Sequence, residues 1–352
     1  MLGQILDLSP KKIFRWYKEV LSGFCDPIKQ KELHQYDTYD QAKTPNKSLK
    51  VFVPIFKPQN FTRNMAIDEK KIGEELYTII SSRDTGKIAL MISTTKIHII
   101  KNILLKLPCL ALDKVKHMTM DLDKGFEILS REVFLGVKII GDKFHVIRLA
   151  LEALQAVRIR YRQEALRKER IRRNIHKNNE AQRRDQAKRL GEDFIPRKLA
   201  PLKRYENGET ILELLARSRY LLFKFKTAWT LSQEQRAQIL FREFPEIKEA
   251  HRLICSFRSF YNLSFGKEGK KERAQRKLKE WINKTERYEI EEIENFVSTV
   301  ERNQSKILNY FLEGETNAFA ENLNSRLQRF VNINYGIRNL DFFHFRLRNL
   351  FS

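Results

Sequence analysis

At 352 residues the chain is long enough for about two domains of ordinary size, and its 42% hydrophobic content can build a sizeable core, which excludes a disordered tail or a small stapled scaffold. Lysine and arginine number 67 against 44 acidic residues, a formal charge of +23 that exceeds what solubility needs, so a polyanion is the expected partner. Three scattered cysteines, Cys25, Cys109 and Cys255, exclude a disulfide framework, and the lack of a signal-peptide pattern or an uninterrupted apolar run points to a soluble intracellular chain outside the membrane.

The first element is a helix over PKKIFRWYKEVLSGF, with Ser9 as its N-cap, Pro10 at its first position and Gly23 as its stop. Irregular chain follows, and NKSLKVFVPIFKPQN (46–60) reads as a connector with a short extended piece, because two prolines interrupt it and no helical period is present. Between 64 and 142 the pattern changes to short β-type runs: MAID (65–68), LYTIISS (76–82), KIALMIS (87–93), VKHMTMD (115–121) and VKIIGD (137–142). Arg83-Asp84-Thr85-Gly86 marks a hairpin between the second and third runs, while KIHIIKNILLKL and GFEILSREVF fit one helix each. This order predicts an α/β sheet rather than a bundle. From His145 to about 312 almost everything reads as helix, including a segment from Arg158 to Arg189 with 13 Lys/Arg against 4 Asp/Glu.

Three aspartates, Asp68, Asp121 and Asp142, each end one of these strand runs. Acids at the carboxyl ends of parallel strands can converge on a ligand although far apart in sequence, and hard oxygen donors suit magnesium. A lone strand-ending aspartate is more often a turn-starter, so the weight rests on the three together. Near the carboxyl terminus, Phe319, Leu323, Leu327 and Phe330 recur at helical spacing. Glu321 lies on the other side of that stripe, beside Asn317, Asn324 and Gln328. That neighbourhood fits either an ion or polar ligand or a solvated face.

IDEK around Asp68, TMDLDKGF around Asp121, GDKFHVIRLALEALQAVR (141–158), FREFPEIKEAHRL (241–253) and TNAFAENLNSRLQRFVNINYGIRNLDFFHFRLR (316–348) together resemble the DDE transposases of bacterial insertion sequences, specifically the ISL3 branch. The similarity covers roughly residues 62 to 350, and the D-[KR]-F-H-V block and the TN…E…N…YG-x-RN block are its most specific parts. The resemblance implies an α/β fold with an RNase H-like mixed sheet core interrupted by a large all-helical insertion. The implied division is a short helical N-terminal region (1–45), a connector (46–62), the first part of the core (63–150), the basic insertion (151–312) and a C-terminal catalytic helix and tail (313–352).

By the same resemblance Asp68 is similar to the first catalytic aspartate, Asp121 to the second and Glu321 to the closing glutamate, together holding two Mg2+ ions, with Mn2+ as a substitute. Asp142 and His145 match the D-[KR]-F-H block as accessory positions, and Glu69 and Asp123 are neighbouring acids that could substitute. The implied chemistry is cleavage and strand transfer at insertion-sequence ends by in-line phosphoryl transfer, without a covalent protein intermediate. Two other readings compete with it: a non-catalytic architectural DNA-binding derivative and an RNase H-like nuclease that cuts without joining.

The expected phosphate contacts are Arg158, Arg160, Arg162, Arg167, Lys168, Arg170, Arg172 and Arg173 on the basic segment, and Arg338, Arg346 and Arg348 beyond Glu321. The stretch around Lys11, Lys12 and Arg15 resembles the second half of a helix-turn-helix, with a capping helix as the plainer alternative. Family members usually begin with a cysteine-based zinc segment, which this sequence lacks, so a separate DNA-binding helper chain or a truncated gene is an implied explanation. The implied partners are double-stranded DNA with terminal inverted repeats and target DNA, bound by a homo-oligomer in the cytoplasm at the nucleoid. Trp281 could stack on an unpaired base, although its place in LKEWI favours the core. His117, His145 and His344 are isolated and carry no zinc expectation.

Overall fold

The computed structural model describes residues 8–40, 49–262, 269–311, 318–334 and 339–352. It divides into two compact units, one formed by Met1–Asp142 with Ser305–Ser352 and the other by Lys143–Gln304.

In the first unit, Ser9 caps α1 (Pro10–Trp16) by accepting the Lys12 N–H at 3.3 Å, and Pro10 supplies a pre-set φ at the first position. A π-helical turn, Tyr17–Leu21, continues the helix, and Gly23 ends the run at φ +73°. The short helix α2 (Pro27–Leu33) follows. Chain that reads as irregular from sequence instead contains β1 (Thr38–Asp40), which pairs antiparallel with β2 (Leu49–Val51).

The main sheet is made by β3 (Ile55–Phe56), β4 (Asn64–Ile72), β5 (Glu75–Ser82), β6 (Ile88–Ile92), β7 (His117–Met120) and β8 (Lys138–Gly141), in the order β3-β6-β5-β4-β7-β8. β4, β7 and β8 run parallel, whereas β5 is antiparallel to both β4 and β6. This mixed sheet is compatible with an RNase H-like fold. The hairpin expected at Arg83-Asp84-Thr85-Gly86 is present, with Gly86 at φ +68° donating its N–H to the Ser82 carbonyl at 3.0 Å.

One expectation needs correction: β4 does not end at Asp68. The strand runs on to buried Ile72 because its alternation continues past the acid, and Asp68 pairs with Ile79 in mid-strand. A tight turn at Gly73, φ +63°, then leads into β5.

The sheet's two faces are told apart by the period of two. Met65, Ile67, Ile80, Leu90, Ile92, Met118 and Met120 pack on one side with α3 (Ile97–Leu104) and α5 (Lys124–Val133). The same layer receives Ala111 from α4 (Cys109–Lys114), a six-residue helix too short to show a period in sequence. On the other side, Ile72, Tyr77, Ile79 and Met91 meet Leu323, Leu327 and Phe330 of one helix and Phe343, Leu347 and Phe351 of another.

The second unit is built on a 48-residue helix, α6 (Lys143–Leu190). After it come α7 (Ile211–Arg217), α8 (Arg219–Leu222), α9 (Leu231–Glu243), α10 (Pro245–Phe260), α11 (Lys270–Thr285) and α12 (Glu291–Arg302). Thr210 with Glu213 and Thr230 with Gln233 form reciprocal capping boxes that start α7 and α9. Phe257 centres the core, 4.7 Å from the Trp281 ring and 5.0 Å from Phe296. Contrary to the all-helical expectation, residues 192–209 are not helical. They are tied back onto α6, where Glu180 accepts the Arg197 N–H at 2.8 Å and Arg172 donates to the Ala200 carbonyl at 2.7 Å.

The chain re-enters the first unit through α13 (Gln304–Asn309), where buried Lys306 pairs with Glu127 and the Asn309 amide donates to the Ile139 carbonyl at 2.8 Å. The last two helices are α14 (Ala318–Ile333) and α15 (Leu340–Phe351), the pair that covers the Tyr77 face of the sheet. No helix among the described residues is long and apolar enough to cross a membrane.

Candidate active site

Parallel pairing of β4 with β7 brings the first two acids together. Ala66 lies opposite Thr119, so two further residues along each chain reach Asp68 and Asp121. Met65, Ile67, Met118 and Met120 point into the α3–α5 layer, and alternation therefore sends Asp68 and Asp121 to the opposite face, the one α14 covers. Their carboxylate oxygens come within 4.8 Å of each other, and both residues are half-buried. One Asp68 oxygen accepts the Glu69 N–H at 2.8 Å.

The neighbourhood is acidic. Burial, together with the charges of Asp123, Asp121 and Asp68, pushes the Glu69 carboxyl above its usual range. Asp123 is engaged as the N-cap of α5, accepting the Phe126 N–H at 3.0 Å. A pair of hard oxygen donors this close together fits a divalent cation such as magnesium, which retains positions for water or phosphate oxygens. Asp142 stands just past β8, half-buried, with its N–H donated to the Met120 carbonyl at 2.8 Å. His145 is on the first turn of α6, with the Phe144 ring edge-on at 5.7 Å.

Glu321 belongs to the first turn of α14, and its side chain lies outside the described residues. Arg338 also lies outside them. The helix that carries Glu321 is seated by Leu323, Leu327 and Phe330 on the sheet face that Asp68 shares with Ile72.

The basic residues divide by burial. Arg158 departs from its expected place at a phosphate surface: it is 6% exposed and donates to the Gln155 side chain at 2.7 Å and the Leu215 carbonyl at 2.8 Å. Arg160 is likewise taken up, bridging Glu246 and Glu292. Arg172 and Arg173 both bond Glu169, and those hydrogen bonds push its carboxyl down to about 2. Lys168 pairs with Glu164 at 2.7 Å but stays well exposed. Arg162, Arg167 and Arg170 are exposed, with no ion pair among the described residues.

Arg346 bonds Asn334 and lies over the Phe330 ring at 5.0 Å, and Arg348 pairs with Glu32 at 2.7 Å. Lys11, Lys12 and Arg15 are exposed on α1, Arg15 beside Glu19 at 3.4 Å. Trp281 is 5% exposed and donates its indole N–H to the Leu253 carbonyl, which makes it core.

Sequence reasoning missed the polar groups that fix the site strands. His117 donates from Nδ1 to the Asn64 side-chain oxygen at 2.8 Å, Asn64 donates to Asp84 at 2.8 Å, and Arg83 donates to the Thr119 hydroxyl at 2.8 Å. These bonds tie β4 to β7 and to the β5–β6 turn. His117 and Thr119, alternating with methionines in the strand HMTM, were the sequence signal for them.

No curated protein and no solved structure matches the chain. A family model described as a transposase, of the ISL3 DDE type, matches residues 65–347, most of the chain and all of both sheet-borne acids' surroundings. The chain therefore belongs to the ISL3 family of DDE transposases.

Proposed function

We propose that this DNA transposase cleaves insertion-sequence ends and joins them to target DNA, with Asp68, Asp121 and Glu321 as its three metal-holding acids. The observation that carries the reading is the approach of Asp68 and Asp121 to within 4.8 Å on the sheet face that α14 covers, in a chain of this family. Two Mg2+ ions bound there would supply Lewis-acid activation of a water or 3′-hydroxyl and stabilise the leaving oxygen. The chain's own part is positional. Asp68 is held in mid-strand and Asp121 directly follows the last residue of β7, which brings the two acids together. Asp142 and His145 are accessory to the three acids.

The first unit is then an RNase H-like core in two sequence segments, and the second a basic helical insertion. Duplex DNA is bound chiefly by phosphate neutralisation. Arg162, Arg167, Lys168 and Arg170 are the strongest contributors on α6, Arg173 remains accessible, and Lys11, Lys12 and Arg15 present cations on α1. A homo-oligomer handling both DNA ends, with or without a helper chain, belongs to the same reading.

The test is cleavage of end-labelled DNA by the wild type and by Asp68→Ala, Asp121→Ala and Glu321→Ala. Each variant should lose cleavage by about 10^3-fold or more and keep most DNA affinity, since affinity resides in the cations. Cleavage retained by any one variant removes that residue from the set. Cutting without joined products would favour the nuclease reading.

A further inference from the structure

The helical unit carries an open pocket of about 510 Å³ that the proposed chemistry does not use. Trp229, Phe241 and His251 line it as a cluster of rings, with centroids 5.5 Å apart for Trp229–His251, 5.6 Å for Phe241–His251 and 6.0 Å for Trp229–Phe241. Two of these rings are fixed from behind. The Trp229 indole N–H donates to the Leu221 carbonyl at 2.8 Å and His251 Nε2 donates to the Lys224 carbonyl at 3.0 Å. Their ring edges are thereby satisfied while the cavity keeps an aromatic lining. Burial pushes the His251 pKa down, so the ring is uncharged at neutral pH.

Lys226, Lys248 and Arg252 also line the pocket; Lys226 pairs with Glu234 at 3.9 Å and Arg252 with Glu249 at 2.7 Å, so one positive charge, that of Lys248, is in excess. A largely apolar aromatic pocket with a lysine in its lining suits a molecule that is flat and neutral at one end and anionic at the other. The volume lies within the range of about 300–1,000 Å³ usual for small-molecule sites. For a chain that handles DNA, the ligand with that chemistry is a nucleotide whose base has left the helical stack. Trp281, the sequence's own candidate for stacking, is sealed in the core and cannot serve.

We propose that this pocket takes one unpaired nucleotide of the bound DNA, its base against Trp229 and Phe241 and its phosphate at Lys248. The proposal rests on the reading of the chain as a DNA transposase. It adds a contact that senses base pairing to one that senses only phosphate.

Cys255 lines the same cavity and provides the reporter. With Cys25→Ser and Cys109→Ser it is the only thiol, since the chain has three cysteines. Its alkylation by iodoacetamide would be followed by mass spectrometry with two duplexes of equal length, one fully paired and one carrying a single bulged nucleotide. Both would be held at saturation as judged by fluorescence anisotropy, and free dAMP forms a third arm. The bulged duplex should slow alkylation by about tenfold and the paired duplex should not, because a stacked base occupies the cavity only in the first case. Lys248→Glu should lose that protection while still binding the paired duplex.

Equal alkylation rates with the two duplexes at saturation would overturn the proposal and leave the transposase reading standing. Protection by free dAMP but not by the bulge would replace DNA with a free nucleotide as the ligand. Failure of both duplexes to bind would instead strike at the DNA-binding reading itself.

Discussion

Asp68 and Asp121 place two carboxylate oxygens within 4.8 Å of each other, and burial, together with their charges and that of Asp123, raises the Glu69 carboxyl above its usual range. If the pair holds a metal ion, adding Mg2+ should raise the melting temperature of the wild type, whereas Asp68→Asn and Asp121→Asn should respond little to it. Differential scanning fluorimetry decides the point, and equal metal-induced shifts in all three proteins would contradict the assignment.

A second residue-scale prediction concerns His344, buried against Tyr77 with its ring nitrogen 2.8 Å from the phenol oxygen. Burial lowers its pKa to about 4 from an ordinary 6.5, so the unfolded chain binds the proton more readily between those values. Stability from this group is complete above about 6.5 and is lost as pH falls toward 4. His344→Gln should flatten the acid limb of a denaturation-midpoint profile across that window, and an unchanged limb would assign acid lability elsewhere. The acids were legible in sequence as carboxylates on strand runs. The fate of Arg158 was not, because its acceptor at Leu215 is 57 residues away and only the packing of α6 against α7 supplies it.

At the scale of elements, periodicity recovered what was long or strongly alternating: β5, β6, β7, β8, α3 and α5 all lie within a few residues of their expected places. It missed α4, the β1–β2 pair and the segment 192–209. These elements are short or are stabilised by partners distant in sequence, such as Arg172 holding the Ala200 carbonyl. Trp281 and Leu327 test the packing of the two units separately. Trp281→Ala should cost about 3–5 kcal/mol and Leu327→Ala about 2–5 kcal/mol, each through a cavity left behind. Chemical denaturation would measure both, and a loss below about 1 kcal/mol at Trp281 would reopen its surface role.

For the whole molecule, the +23 charge would be the main source of attraction toward DNA on the proposed reading, yet its effective part is smaller than the sequence count suggests. Arg158, Arg160 and Arg172 are largely spent on internal partners, while Arg162, Arg167 and Arg170 remain exposed. Converting those three exposed arginines to glutamine should weaken binding at every DNA sequence and lower the slope of log affinity against log salt by about 2–3 units. Arg158→Gln should leave that slope unchanged and reduce stability instead. A slope altered equally by both variants would erase the distinction drawn between buried and exposed cations.

If the acids brought together by the parallel β4–β7 pairing perform metal-dependent phosphoryl transfer on DNA, the purified chain should show it on its own substrate. The most direct measurement is incubation with labelled DNA bearing the sequences that flank its own gene, in Mg2+ and in Ca2+, beside Asp121→Asn. Cleaved and joined products in Mg2+ alone, absent from the variant although it still binds, are the predicted result. Binding without cleavage in either metal, or products formed equally by the variant, would refute that role for the paired acids.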